Sequence, residues 1–297
     1  MGPGAGRGWS RRAFCGLLGA GLAAHLSSCA TATVDPVLSP LTNSSSGDRP
    51  LAAASAPSQD GLATPPPTDS STRPGASAGT APADARPVVL AQGPPDASKI
   101  ALTIDDGYAD DVVAGYVALA QRTGVHLTFS PNASYSHAWS PHAPVLRPLI
   151  ETGQVQIMNH TVNHPDLTAV PASRVRRELE ANEQWVNQTF ATSTRPYYRP
   201  PYGAHNMTVD RLAAGVGFNR VVLWNGSYGD SSVVTPQYLM SQARRYLNPG
   251  VILLGHANHP TVLGLFDQLQ SLIRDRHLQP VTLDEMFGTR RPPITPN

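Results

Sequence analysis

Lys99-Ile100-Ala101-Leu102-Thr103-Ile104-Asp105-Asp106-Gly107, followed by the segment Asp110 to Thr123, decides the fold class. The first stretch is a short apolar run that ends abruptly in two carboxylates and a glycine. The second carries apolar residues at helical spacing (Val112, Val113, Tyr116, Val117, Leu119, Ala120) and stops at Gly124. The same unit recurs downstream. Strands are expected at Val125–Ser130, Val155–Met158, Tyr197–Arg199, Phe218–Trp224, Val251–Leu254 and Val281–Leu283. Helices are expected at Ala143–Thr152, Ala172–Phe190, Met207–Gly215, Pro236–Leu247 and Thr261–His277. About seven apolar runs alternating with amphipathic helices predict a parallel α/β sheet, either an open doubly wound sheet or an irregular barrel. Both architectures place chemistry on the loops after the strand C-termini.

Upstream the composition changes. Between residues 30 and 96 there is no Phe, Tyr or Trp, and Ala, Pro, Ser, Thr and Gly dominate. Such a stretch buries too little apolar surface to offset chain entropy, and a disordered linker is expected. Val88-Val89-Leu90 is the exception, a possible first strand. Residues 1–29 read as an export signal. Arg7, Arg11 and Arg12 precede an apolar run from Phe14 to Ala24, and Leu26-Ser27-Ser28-Cys29 follows. Ser10-Arg11-Arg12-Ala13-Phe14 resembles a twin-arginine signal. Leu26 to Cys29 resembles a lipobox, which implies lipidation of Cys29. The expected organisation is signal 1–29, linker 30–96, catalytic domain 97–290 and tail 291–297.

The 297 residues carry 22 Lys+Arg against 21 Asp+Glu, a net charge of +1. That balance lacks the basic excess of a nucleic-acid binder. No apolar run reaches the roughly 18–20 residues needed to span a bilayer, so membrane attachment is expected only through a lipid. With Cys15 in the signal, one cysteine would remain and no disulfide could form.

The polar clusters fall at the strand ends. Asp105 and Asp106 repel one another unless something positive is shared, and one carboxylate on a cation beside one acting as a base would resolve the conflict. A helix cap for the following helix is the plainer alternative. His160 and His164 are spaced i,i+4, which on a helical turn would aim both imidazoles at one metal. Two surface histidines would read the same way. Arg199 leads the stiff segment Arg199-Pro200-Pro201-Tyr202-Gly203, suited to a guanidinium locked on a carboxylate, to a backbone N–H aimed at an oxyanion, or to a simple turn. His256 follows an apolar strand and could act as a general acid or merely end that strand. Tyr108, Tyr135 and Trp139 are candidates for stacking on sugar faces, or for packing.

Taken together, these clusters resemble one family. Thr103-Ile104-Asp105-Asp106-Gly107 is similar to the TFDDG motif of the polysaccharide deacetylases (NodB-like, carbohydrate esterase family four). Asn159 to Leu167 resembles that family's His-Ser/Thr-x-x-His motif, Arg199 to Gly203 its third motif, and Leu254-Gly255-His256 its last. The resemblance covers about residues 97–290. It implies a distorted (β/α) barrel and a metal-dependent hydrolase of N-acetyl groups on N-acetylglucosamine-type sugars. By the same resemblance Asp106, His160 and His164 bind a divalent metal, zinc first with cobalt or manganese as alternatives. Asp105 is then the general base oriented by Arg199, the Tyr202 N–H an oxyanion donor, and His256 the general acid.

Two positions depart from the pattern. Ile104 stands where the family has Phe. Asp230 lacks the Trp that usually follows it. Asp230 is expected to tune His256, and Trp224 or Tyr228 to wall the acetyl pocket. The expected substrate is peptidoglycan or a chitin-like polymer, met by a monomer anchored at the cell envelope, with secretion as the alternative. An O-acetyl esterase on another polysaccharide and a non-catalytic glycan-binding homologue are the competing readings.

Overall fold

The computed structural model describes residues 86–95 and 98–289. The export signal, Cys29, most of the linker and the tail 291–297 lie outside these residues. Nine strands are described: β1 (Val88–Leu90), β2 (Lys99–Asp106), β3 (Leu127–Pro131), β4 (Val155–Ile157), β5 (Tyr197–Tyr198), β6 (Arg220–Val222), β7 (Gly226–Ser227), β8 (Ile252–His256) and β9 (Gln279–Val281). The described helices are α1 (Asp110–Thr123), α2 (Ser136–Trp139), α3 (Ala143–Glu151), α4 (Ala172–Phe190), α5 (Met207–Ala214), α6 (Pro236–Tyr246), α7 (Phe266–Asp275) and α8 (Leu283–Phe287). No described helix is long and apolar enough to cross a membrane.

Every strand pair is parallel. Six strands form one sheet in the order β4-β3-β2-β8-β7, with β9 also on β2, and three form a second in the order β1-β6-β5. A parallel bridge between Asn159 and Tyr198 joins β4 to β5 at one seam. At the other seam the chain crosses between sheets, Leu223 N–H donating to the Leu90 carbonyl and Asn225 N–H to that of Ile252. The result is the distorted (β/α) barrel that the resemblance implied. The strand count exceeds the expected seven by β1, offered by the sequence only as a possible strand, and by β7, whose two residues Gly226 and Ser227 are too short and too polar for an apolar run to announce.

Side-chain alternation along these strands sorts the core into an outside and an inside. Ile100, Leu102 and Ile104 of β2 face outward with Phe129, into a cluster with Val113, Tyr116 and Val117 of α1. Ala101, Met158, Tyr197, Val222 and Ile252 form a separate inner cluster, closed at the bottom by Leu283 and Met286 of α8. Helices α4 and α5 cover β5 and β6 through Val175, Leu179, Val209 and Ala213.

Three expectations are corrected here. The folded chain begins before residue 97, because β1 pairs along β6 from Val88 to Leu90. The helix expected over Thr261–His277 is a 3-10 segment, Pro260–Leu265, leading into α7. The closing strand ends at Val281 rather than Leu283, since Thr282 caps α8: its hydroxyl accepts from Glu285 N–H while the Glu285 carboxylate accepts from Thr282 N–H.

Candidate metal-centred active site

The inner cluster foretells where the site lies. Two or four residues beyond Ala101, Met158, Tyr197, Val222 and Ile252 stand Asp105, His160, Arg199, Trp224 and His256. The same alternation carries these side chains to the inside of the barrel, at the C-terminal ends of the strands. Asp105 and His256 are paired across β2 and β8, so strand register alone sets the two side by side.

Asp106 has the wrong parity to join them. In a regular strand its side chain would point opposite to that of Asp105. Its φ of 63° places it in the left-handed region, ending the alternation and bringing the second carboxylate back to the site. Trp139 Nε1–H holds this conformation through the Asp106 carbonyl at 2.8 Å. His160 and His164 meet by a similar departure. They lie on a loop rather than on the helical turn the spacing predicted, and positive φ at Thr161 (68°) and His164 (54°) folds it back. Their ring centroids are 4.8 Å apart.

Asp105 is buried, and its Oδ1 accepts from Arg199 Nη1–H at 2.7 Å and from the Ser130 hydroxyl. Arg199 has no exposed surface, and its other N–H groups reach the Val222 and Leu223 carbonyls. The Arg199 guanidinium carbon lies 5.6 Å from the Trp224 ring centroid. Trp224 thus braces the arginine, and its ring also lies against Gly203 and the inner cluster. Tyr228, the alternative wall, is buried beneath Gly255, where an added Cβ would come within 2.9 Å of its ring. Trp139 is fully buried and is removed from the sugar-stacking candidates. Tyr108 is half-exposed, edge-on to Tyr135 and His259.

Asp106 Oδ1 lies 3.4 Å from His160 Nε2 and 3.7 Å from His164 Nε2. This oxygen is buried and has no hydrogen-bond partner among the described residues. His160 Nδ1–H donates to the Arg199 carbonyl at 2.8 Å, which fixes the tautomer and leaves the Nε2 lone pair facing Asp106. One carboxylate oxygen and two imidazole nitrogens, mutually within 4.8 Å, suit a divalent cation of the zinc type. The orphaned Oδ1 is the observation that makes the fit, because a buried anionic acceptor without a partner is otherwise costly.

The titration of these groups follows from the same contacts. Burial works to raise the Asp106 carboxyl, but His160, His164 and His256 together hold it below the usual range. Burial works to lower His160, yet Asp105, Asp106 and the Arg199 carbonyl raise it. Burial and the neighbouring His160 lower His164. His256 is pulled down by burial and raised overall by Asp230 and the two aspartates. Its Nδ1–H donates to Asp230 Oδ1 at 2.9 Å, and its backbone N–H to Asp230 Oδ2 at 3.1 Å. Asp230 is buried against His256 without the tryptophan the family motif carries. Tyr202 is exposed with φ 61°, its ring 4.5 Å edge-on from His164.

Ser130 and Asn258, which were not among the expected site residues, hold the site together with Trp139, expected only as a stacking or packing residue. Ser130 has a sequence signal, since it shares the inward parity of β3 with Thr128. Asn258 has none, because its partners lie about 150 residues away.

Comparison with known proteins places the chain beside carbohydrate deacetylases. Residues 92–221 match the polysaccharide deacetylase family. The peptidoglycan-N-acetylglucosamine deacetylase PgdA of Listeria monocytogenes is 28% identical over 200 residues, covering 65% of this chain and 39% of that protein. The solved T48 deacetylase with substrate is 27% identical with a TM-score of 0.57, over 66% of this chain and 94% of that one. BA3943, a CE4 family pseudoenzyme from Bacillus anthracis, is 17% identical with a TM-score of 0.60, over 68% and 70%. The matches span 61% and 62% of two further curated relatives, from Geobacillus stearothermophilus and Bacillus subtilis, which are 26% and 23% identical over 55% and 69% of this chain.

Proposed function

Residues 92–221 match the polysaccharide deacetylase family, and from that match we propose that the chain hydrolyses N-acetyl groups of N-acetylglucosamine-type residues in a cell-wall polysaccharide, peptidoglycan first. One observation carries the reading. A carboxylate locked by arginine, a partnerless carboxylate oxygen facing two imidazoles, and a histidine backed by aspartate converge on one barrel mouth. Carbohydrate binding alone has no use for a base, a cation site and an acid together. PgdA, whose name gives its substrate, is the relative that favours peptidoglycan.

Asp106, His160 and His164 would hold a divalent cation, which acidifies water and polarises an acetyl carbonyl. The chain's own groups supply the rest. Asp105 Oδ1 is committed to Arg199 and Ser130, so Oδ2 is the atom left to take a proton from the attacking water. The Tyr202 N–H is the proposed donor to the oxyanion. His256 Nδ1 is committed to Asp230, and Nε2 is therefore the atom that gives a proton to the departing amine. Water and an acetamide thus yield acetate and an amine, with each proton accounted for.

The molecule would act as a monomer on a lipid anchor at Cys29, the linker giving it reach to the wall polymer. Palmitate labelling lost in Cys29→Ala checks the anchor. The decisive experiment is mass spectrometry of purified peptidoglycan and chitin oligomers incubated with the enzyme. Loss of acetyl groups that stops with chelator and returns with zinc supports the reading. Acetate released only from O-acetylated polymers would turn it into an esterase, and no acetate from any of them would leave a glycan-binding protein.

A further inference from the structure

The two adjacent carboxylates hold different partners, and one of those partners is Asn258. It lies on the loop after β8, seven percent exposed. Its Oδ1 accepts from Gly107 N–H at 3.1 Å and from Tyr108 N–H at 3.4 Å. Both are donors, so the amide orientation is fixed and Nδ2–H must face the other way. There it donates to Asp106 Oδ2 at 2.8 Å.

We infer that Asn258 is a positioning residue for the cation site, and that its neutral amide decides which member of the pair, Asp105 or Asp106, serves as ligand. The inference rests on reading Asp106, His160 and His164 as the ligand set. Asp105 is claimed by a guanidinium, whose positive charge repels a second cation. Asp106 is claimed by a donor without net charge. Asn258 occupies Oδ2 and pins the carboxylate's rotation, leaving Oδ1 aimed at the imidazoles and available as a single ligand atom. The same side chain ties Gly107 to the loop after β8, so the left-handed Asp106 is held from above by Asn258 and through its carbonyl by Trp139. Partners that orient a ligand typically contribute ten- to a hundredfold in metal affinity.

The test is competition titration of zinc against a chromogenic chelator, with the visible spectrum of the cobalt-loaded protein as a second readout. Asn258→Ala is expected to weaken zinc binding by about 10–100-fold. Asn258→Asp keeps an acceptor for Gly107 and removes the donor to Asp106. It is expected to shift the cobalt bands, whereas a role confined to anchoring the loop would leave them where the wild type has them. Wild-type affinity in Asn258→Ala, or a wild-type cobalt spectrum in Asn258→Asp, overturns the inference while leaving the ligand set standing. Failure of the wild type itself to bind zinc overturns both.

Discussion

At the scale of single residues, the site turns on giving two neighbouring aspartates different work. Asp105 is bound by a buried guanidinium and Asp106 by an amide, and only Asp106 keeps a buried oxygen unpartnered. Asp105→Asn should therefore abolish acetate release, by a factor of about 10²–10⁴, with zinc content nearly that of the wild type. His160→Ala should lose both activity and zinc. Equal metal loss in the two variants, measured by elemental analysis, would mean that the roles are reversed. His256 offers a pH signature. Its protonated form is the donor, and Asp230 helps raise its pKa above the usual imidazole value, so activity falls as pH climbs through that raised value. Asp230→Asn removes the supporting charge. The alkaline limb of kcat/KM should move to lower pH while the acid limb stays, and an unmoved alkaline limb would exclude His256 as the acid.

At the scale of elements, the barrel separates stability from chemistry by its two ends. The C-terminal strand ends carry Asp105, His160, Arg199 and His256, and α8 closes the other end. Thr282→Ala removes the buried cap of α8 and should lower unfolding free energy by about 1 kcal/mol in a urea titration. Specific activity of the remaining folded enzyme should be unchanged. Gly107→Ala should behave in the opposite way. At φ 92° an added Cβ would run into the Trp139 indole, the group that holds the Asp106 carbonyl. Weakened zinc binding is the expected result, and full zinc affinity in that variant would show that Trp139 can move without disturbing Asp106.

For the molecule as a whole, binding a cation only to the folded state must stabilise it. Zinc at a hundred times its dissociation constant adds about 2.7 kcal/mol, or roughly 5–10 °C in Tm for a domain of this size. Calorimetry with and without chelator measures it. His160→Ala should show no zinc-dependent rise, which separates the site from adventitious binding elsewhere.

The order of strands and helices was legible because apolar runs and helical spacing are local properties. Helix α4 falls on the expected residues Ala172–Phe190, and Ile100 to Asp106 forms a strand. Asp105, Asp106, His160, His164, Arg199 and His256 could be singled out because each sits where an apolar strand gives way to polar residues. The sequence by itself thus determined the parallel α/β alternation and the side chains available for chemistry. Tertiary structure alone decided how those side chains meet. The left-handed backbone at Asp106, Thr161 and His164 turns them inward, an outcome that no i,i+4 spacing encodes. The short strand β7, Gly226–Ser227, exists through its neighbour's hydrogen bonds rather than through its own composition. Asn258 and Trp224 acquire their partners only when distant segments close the barrel, because a hydrogen bond or a ring contact is set by proximity in space, and local pattern carries no record of it.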